Sequence, residues 1–161
     1  MASEEINVRA PLFDRLVDPP PFDRSAGREH RPFRTLDRQE LRESVRRELQ
    51  RLFNSRAAAP VSRLEERELT VIDYGVPDFA TLSLKNPLDR ERMAAILVRT
   101  VTAFEPRLRE VRVEVRELEG EKAAMWATVD GMLVFDSVRE PISFPAILRP
   151  ALGASEVRDA T

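Results

Sequence analysis

The chain has 161 residues, of which 34% are charged, with a formal net charge of -2 and no cysteine. The absence of cysteine excludes disulfides, thiolate metal sites and cysteine nucleophiles. The near balance of charge leaves no basic excess for nucleic acid or a membrane surface, and no apolar run reaches the ~20 residues that span a bilayer.

The N-terminal segment, residues 1–34, predicts an arm rather than part of a core, because it is polar and rich in proline. It contains one small amphipathic patch, in which Leu12, Phe13 and Leu16 are spaced to share a helical face. We expect this patch to dock as a short helix, either on its own domain or on a partner, and the sequence leaves both destinations open.

The first helix is predicted from about Arg38 to Phe53. Asp37 and Glu40 form a capping box at its start. Its apolar residues recur at helical spacing and form one stripe: Leu41, Val45, Leu49, Leu52 and Phe53. The opposite face is rich in charges of both signs, which is typical of a solvated surface.

The segment from residue 73 to 79 predicts an ordered loop. Gly75 and Pro77 indicate a turn, while Tyr74, Val76 and Phe79 supply apolar side chains that a merely flexible loop would not need. We therefore expect this loop to pack onto the domain.

The second helix is predicted from Pro87 to Phe104, with Asn86 as its cap. Its broad apolar stripe makes it the main core helix: Met93, Ile96, Leu97, Thr100, Val101 and Phe104. Pro106 ends the helix and disfavours helical dihedrals for the residue before it.

The sequence after this helix alternates valine with charge through residues 111–116, which predicts a half-buried strand. Residues 125–135 contain Asp130-Gly131, a strong hairpin signal, but side-chain parity favours one long, bent strand with a possible bulge at Gly131. Pro141 to Phe144 predicts a short third strand at an edge, and residues 153–161 predict a tail.

Catalytic chemistry finds little support in the sequence. The single histidine, His30, lies in the arm, and five glycines form no phosphate loop. Asp73, Asp78 and Glu105 are candidates for a carboxylate pair by location, but one Trp and one Tyr offer little lining for a glycan cleft. We expect no catalytic residue, no metal site, no cofactor and no small-molecule ligand.

Four motifs occur in a recognisable order: Leu12-Phe13-Asp14-Arg15-Leu16, Val45-Arg46-Arg47-Glu48-Leu49 through Leu52-Phe53-Asn54-Ser55-Arg56, Tyr74-Gly75-Val76-Pro77-Asp78, and Phe104-Glu105-Pro106-Arg107-Leu108. Together they resemble the TssE family of type VI secretion baseplate subunits, which is similar to a small wedge protein of contractile phage tails. The resemblance extends from about Leu12 to Leu148, including the closing Glu140-Pro141-Ile142-Ser143-Phe144.

The resemblance implies a structural subunit that joins other wedge subunits at a cytoplasmic, inner-membrane-associated baseplate and contacts the contractile sheath. In the family, that sheath contact is made from the glutamate-proline-arginine corner, here Glu105, Pro106 and Arg107, with Leu108 as its buried anchor. Tyr74 and Asp78 are the further expected partner-binding residues, together with the amphipathic patch of the arm. We expect the two charges of the corner to be exposed and to point in fixed directions.

The sequence thus predicts an α+β domain over residues 35–152, in which two main helices pack on a mostly antiparallel sheet of three or four strands. An open edge of that sheet offers a place for a partner strand. Two other functions remain alternatives to assembly: a lysozyme-like peptidoglycan hydrolase, after the family's historical label, and an anti-adaptor in regulated proteolysis, after a related fold.

Overall fold

The computed structural model describes residues 8–12, 35–118, 124–149 and 155–158. Phe13, Leu16 and His30 lie outside these ranges. In chain order the described elements are β1 (Val8–Arg9), β2 (Thr35–Leu36), α1 (Arg38–Asn54), α2 (Val61–Glu66), a 3₁₀ turn (Val71–Asp73), α3 (Pro87–Phe104), β3 (Leu108–Glu117), β4 (Met125–Phe135), β5 (Val138–Leu148) and β6 (Glu156–Val157).

The architecture is the predicted α+β class. A four-stranded antiparallel sheet has the order β3-β4-β5-β6, and β1 pairs with β2 in a separate antiparallel ribbon. Helix α1 contacts β5, β6 and α3, while α3 contacts β3. The two main helices and the inward face of the sheet share one hydrophobic core.

Both main helices begin and end close to their predicted limits. The Glu40 backbone N–H donates to the Asp37 carboxylate at 2.8 Å and the Asp37 N–H donates to Glu40 at 2.9 Å, which confirms the capping box of α1. The Asn86 side chain accepts from the Leu88 N–H at 3.1 Å at the start of α3. These local hydrogen bonds satisfy donors that every helix leaves free in its first turn.

Residues 125–135 form one continuous strand, β4, as parity predicted, but the bulge is not in it. The register of β3 against β4 shifts between Arg109 and Arg112, and Glu110 has φ 53°. Gly131 lies opposite this bulge, where an added Cβ would stand 3.1 Å from the Arg109 carbonyl oxygen. The glycine therefore gives space to a bulge in the neighbouring strand, and our assignment of the bulge to Gly131 was wrong.

Strand β5 is longer than the predicted third strand and is not the last one. It runs from Val138 to Leu148 and pairs with β4 along its whole length. Residues 156–157, within the segment expected to be a tail, form β6 against Ala146 and Ile147. Pairing with β4 supplies the backbone hydrogen bonds that extend β5 beyond its short apolar signal.

The ends of the described chain are fixed by contacts with distant segments. Val8 pairs with Leu36, and Val8, Ala10 and Leu36 are all buried in the core. At the other end, the Val157 N–H donates to the Gln50 side chain of α1 at 2.8 Å. Residues 8–10 of the expected arm thus belong to the folded domain.

Candidate functional site

At the corner after α3, the side chains of Glu105 and Arg107 form an ion pair with each other. The Arg107 guanidinium donates Nε to Glu105 Oε1 at 2.7 Å and Nη2 to Glu105 Oε2 at 2.6 Å, a bidentate pair. The Glu105 side chain is 3% exposed and that of Arg107 is 10% exposed. Our expectation of exposed charges at this corner was wrong, because a charge that leaves water is stable only when it is paired and hydrogen-bonded.

The same pair connects the corner to α1 and to the sheet. Arg107 Nη1 donates to the Ser44 hydroxyl of α1 at 2.8 Å, and Ser44 is buried. The Arg107 carbonyl accepts from the Val134 N–H of β4 at 2.8 Å. Leu108 is 1% exposed, which confirms it as the buried anchor of the corner. The exposed residue at the tip is Pro106.

The loop at residues 74–78 is ordered and packed, as predicted. The Val76 N–H donates to the Ser55 carbonyl at 2.8 Å and the Ala57 N–H donates to the Val76 carbonyl at 3.1 Å. Gly75 has φ +119°, and a Cβ there would stand 2.5 Å from the Ser55 carbonyl oxygen. Only glycine allows the loop to approach the end of α1 this closely.

Tyr74 joins this loop to the corner. Its ring meets the ring of Phe104, the last residue of α3, edge to face with 5.3 Å between centroids. Partial burial raises the pKa of the Tyr74 hydroxyl, and the negative charges of Glu48 and Glu105 act in the same direction. Two of the predicted partner-binding segments therefore form one continuous surface.

Asp78 lies on the exposed side of the same loop. It forms an ion pair with Arg56 at 2.7 Å, in which both side chains are more than half exposed. Its other oxygen accepts from the Ala80 N–H at 2.9 Å. Such an exposed pair contributes little stability, so Asp78 remains available to a partner.

A buried carboxylate holds the 3₁₀ turn that precedes Tyr74. Asp73 accepts from the Thr70 N–H at 2.9 Å and from the Thr70 hydroxyl at 3.0 Å, and it pairs with Arg67. The Thr70 N–H bond chiefly lowers the pKa of Asp73, with help from the Thr70 hydroxyl and Arg67. The turn's own apolar side chains point away from the core: Val71 is 86% exposed and Ile72 is 73% exposed.

Sequence reasoning missed this turn, although a signal for it exists. Thr70 and Asp73 have the spacing of a capping box around two β-branched residues. The exposure of Val71 and Ile72 does not follow from this spacing, because it depends on which side of the chain packs against the domain.

The three carboxylates considered for catalysis are engaged separately. Glu105 binds Arg107, Asp73 binds Thr70 and Arg67, and Asp78 binds Arg56. No group of three metal-ligating side chains occurs in the described part of the chain. Among the described helices, none combines the length and the hydropathy of a membrane span.

An open cleft of about 370 Å³ lies beside the β3 bulge, between residues of β3, β4, β5 and α1. Its charged lining includes Arg42, Arg112, Glu110 and Asp130. Because the cleft presents both signs of charge and is open to solvent, it favours no particular class of small ligand.

The remaining predicted site residues belong to the arm. Leu12 is 61% exposed and sits next to the β1 pairing, whereas Phe13 and Leu16 are outside the described residues. The docking role of this patch therefore stays a prediction.

Comparison with known protein families identifies a match. The family model described as baseplate wedge protein gp25 matches residues 39–137, which include all but the first residue of α1, the 74–78 loop, α3 and the corner. This family includes TssE, so the match confirms the resemblance found in the sequence motifs. No curated protein and no solved structure matches the chain.

Proposed function

Because the chain belongs to the family of the baseplate wedge protein gp25, we propose that it is a structural subunit of a type VI secretion baseplate. In this role it binds other wedge subunits and primes assembly of the contractile sheath. The observation that carries the proposal is the family match, because it spans both main helices, the corner and strands β3 and β4 of the sheet.

The surface geometry supports a docking role near the corner. The loop and the end of α3 touch through Tyr74 and Phe104, and the exposed tip of the corner is Pro106. The bidentate pair behind Pro106 fixes the direction of this tip, which lowers the entropy that a partner must remove on binding.

The sheet offers a second contact at the free edge of β3. This strand has ten residues and no proline, and it is the terminal strand of the described sheet. The other long edge belongs to β5, where Pro141 and Pro145 lack backbone donors. We therefore propose the β3 edge as the place where a sheath strand adds through backbone hydrogen bonds.

The first test deletes the gene in its native cell and follows sheath assembly with a fluorescent sheath subunit. The second adds back a copy of the gene with an affinity tag and identifies the proteins that co-purify with it. We expect the deletion to abolish extended sheaths, and the tagged protein to co-purify with baseplate wedge subunits. Normal sheaths in the deletion strain would contradict the role, and co-purification with protease adaptors instead would favour the anti-adaptor alternative.

The hydrolase alternative has a separate test on purified cell-wall material. A catalytic Glu105 would have to protonate or attack a substrate, but this carboxylate is occupied at both oxygens by Arg107. We expect no cleavage. Reproducible cleavage that Glu105→Gln abolishes would overturn the structural assignment.

A further inference from the structure

The last described segment, residues 155–158, lies in a groove between helix α1 and the end of strand β5. On one side, β6 pairs antiparallel with Ala146 and Ile147 of β5. On the same side, the Arg158 N–H donates to the Pro145 carbonyl at 2.8 Å. On its other side the segment faces α1, which offers a helix instead of a strand. We call the space that α1 and the end of β5 form around this segment the terminal groove.

Side chains of α1 take the place of a neighbouring strand. The Asn54 amide accepts from the Ser155 N–H at 2.6 Å and donates to the Ser155 carbonyl at 3.1 Å. The Gln50 amide also donates to the Ser155 carbonyl, and it accepts from the Val157 N–H at 2.8 Å. Arg46 Nη1 donates to the Val157 carbonyl at 2.9 Å. The backbone of the segment is therefore bound on both of its sides.

The spacing of these three α1 side chains matches the repeat of an extended chain. Arg46, Gln50 and Asn54 lie four residues apart, so successive members are about 6 Å apart along the helix. Backbone groups that point to the same side of a strand recur every second residue, about 6.6 Å apart. Because the row binds backbone groups alone, it recognises the extended conformation of a segment and not its side chains.

Two inward positions select the side chains that the terminal groove accepts. Val157 is 2% exposed and belongs to the hydrophobic core. Ser155 is 5% exposed, and its hydroxyl accepts from the Arg149 N–H at 3.2 Å. The side chains of Glu156 and Arg158, by contrast, pair with each other at 3.0 Å and are about half exposed. The groove therefore fits an extended segment with a small hydroxyl residue followed, two positions later, by an aliphatic residue.

We propose that the terminal groove is a strand-exchange site, in which residues 155–158 are the resident strand and an extended segment of another protein with the same pattern replaces them. The resident strand is short, and Val157 is its one large apolar side chain in the core, so its release costs less than unfolding of β4 and β5. An empty groove would expose the Val157 pocket and leave the end of β5 unpaired, so replacement is favoured over vacancy.

This proposal is independent of the function inferred from the family. The family model matches residues 39–137, whereas the resident strand and its partners on β5 follow residue 137. Failure of the baseplate role would therefore leave the terminal groove unaffected, and a groove that does not exchange its strand would leave the baseplate role unaffected.

Amide hydrogen exchange on the wild-type protein tests whether the resident strand is released. The Val157 N–H is bound by Gln50, and the Val129 N–H lies in the central strand β4. We expect the Val157 N–H to exchange roughly 100-fold faster or more, because it opens without global unfolding. Equal protection of the two amides would mean that the segment opens only with the whole domain, and it would overturn the proposal.

Peptide binding tests whether another chain takes the place of the resident strand. The probe is a fluorescein-labelled peptide with the sequence of residues 153–160, and its binding to the full-length chain is followed by fluorescence anisotropy. The Val157→Asp variant places a charge where the core accepts an aliphatic side chain, which weakens the resident strand. We expect this variant to bind the peptide about tenfold more tightly or more than the wild type, whose own strand competes at high effective concentration.

Two controls locate the bound peptide. Glu156→Ala is the matched variant, because Glu156 is about half exposed, and it should bind the peptide as the wild type does. Asn54→Leu, added to Val157→Asp, removes two backbone contacts of the groove and should weaken the peptide about fivefold. Unchanged binding after Asn54→Leu would place the peptide elsewhere and overturn the proposal.

The remaining outcomes decide the proposal in the same experiment. If Val157→Asp keeps the circular dichroism spectrum of the wild type and binds no peptide, the proposal is wrong. If this variant does not fold, Val157→Ala replaces it with an expected gain of about threefold in affinity, and no gain would overturn the proposal. A wild-type chain that is a dimer by gel filtration and a monomer after the Val157 change would make the occupant a second copy, which contradicts exchange with another protein.

Discussion

The corner and the 3₁₀ turn (Val71–Asp73) place their side chains in opposite ways. At the corner, Glu105 and Arg107 are charged and turned inward, where they bind each other and Ser44. In the turn, Val71 and Ile72 are apolar and turned outward, while Asp73 is the buried residue. In both segments the ion pair maintains the backbone shape, and what faces solvent is apolar. The charged residues of a sequence motif therefore do not by themselves identify the surface that contacts a partner.

The largest expected change in the free energy of unfolding is at the corner. Arg107→Ala leaves the Glu105 carboxylate buried without its partner, so we expect a loss of about 3–5 kcal/mol in the free energy of unfolding. Urea unfolding followed by circular dichroism measures it. Arg116→Ala is the control, because the Arg116–Glu114 pair is well exposed, and it should cost only about 0–1 kcal/mol. Equal, small losses in both variants would mean that the corner pair is not structural.

The loop that supports the turn is the next most sensitive place. Gly75→Ala forces a residue with a Cβ to adopt φ +119° against the Ser55 carbonyl, so we expect a loss of about 3 kcal/mol. Gly131→Ala is the comparison, since its Cβ would meet the Arg109 oxygen at 3.1 Å without a positive φ, and it should cost less. Thermal unfolding ranks the two, and the reverse order would contradict the tight packing assigned to Gly75.

The turn itself should show a pH dependence through Asp73. Its folded pKa lies below the ordinary value of 3.8, so its contribution to stability is present above that value and is lost as pH falls through the folded pKa. We expect Asp73→Asn to melt about 2–4 °C below the wild type at pH 7. The difference should disappear in strong acid. A difference that stays constant with pH would mean that the charge of Asp73 is unimportant.

Elements defined by local chemistry could be predicted from the sequence. Asp37 and Glu40, three residues apart, fix the start of α1, and Asn86 with Pro87 fixes the start of α3. The continuous β4 also follows from local parity, because a hairpin at Asp130-Gly131 would have moved apolar side chains to the wrong face.

Elements defined by distant partners could not be predicted. The strand at Val8 exists because Leu36 pairs with it, and β6 exists because the Gln50 side chain of α1 and the edge of β5 bind it. A two-residue strand leaves too short a pattern to recognise. The bulge at Glu110 also depends on a distant partner, because the residue that signals it in the sequence, Gly131, lies on the neighbouring strand.

The features of the candidate site also divide into those set by local sequence and those set by distant contacts. The sequence located the corner and the 74–78 loop correctly, because proline and glycine act locally. It did not predict the inward direction of Glu105 and Arg107, which depends on Ser44, a residue 63 positions away on α1. It also missed the outward direction of Val71 and Ile72, because exposure depends on the packing of the whole domain.

The central claim is that Glu105 and Arg107 form an internal clamp, and a double-mutant cycle tests it most directly. The free energies of unfolding of Glu105→Ala, Arg107→Ala and the double variant are measured by urea unfolding under one set of conditions. We predict that the double variant is more stable than the sum of the single losses implies, with a coupling energy of about 1 kcal/mol or more. Additive losses would contradict the clamp and would mean that the two charges are available to bind a partner.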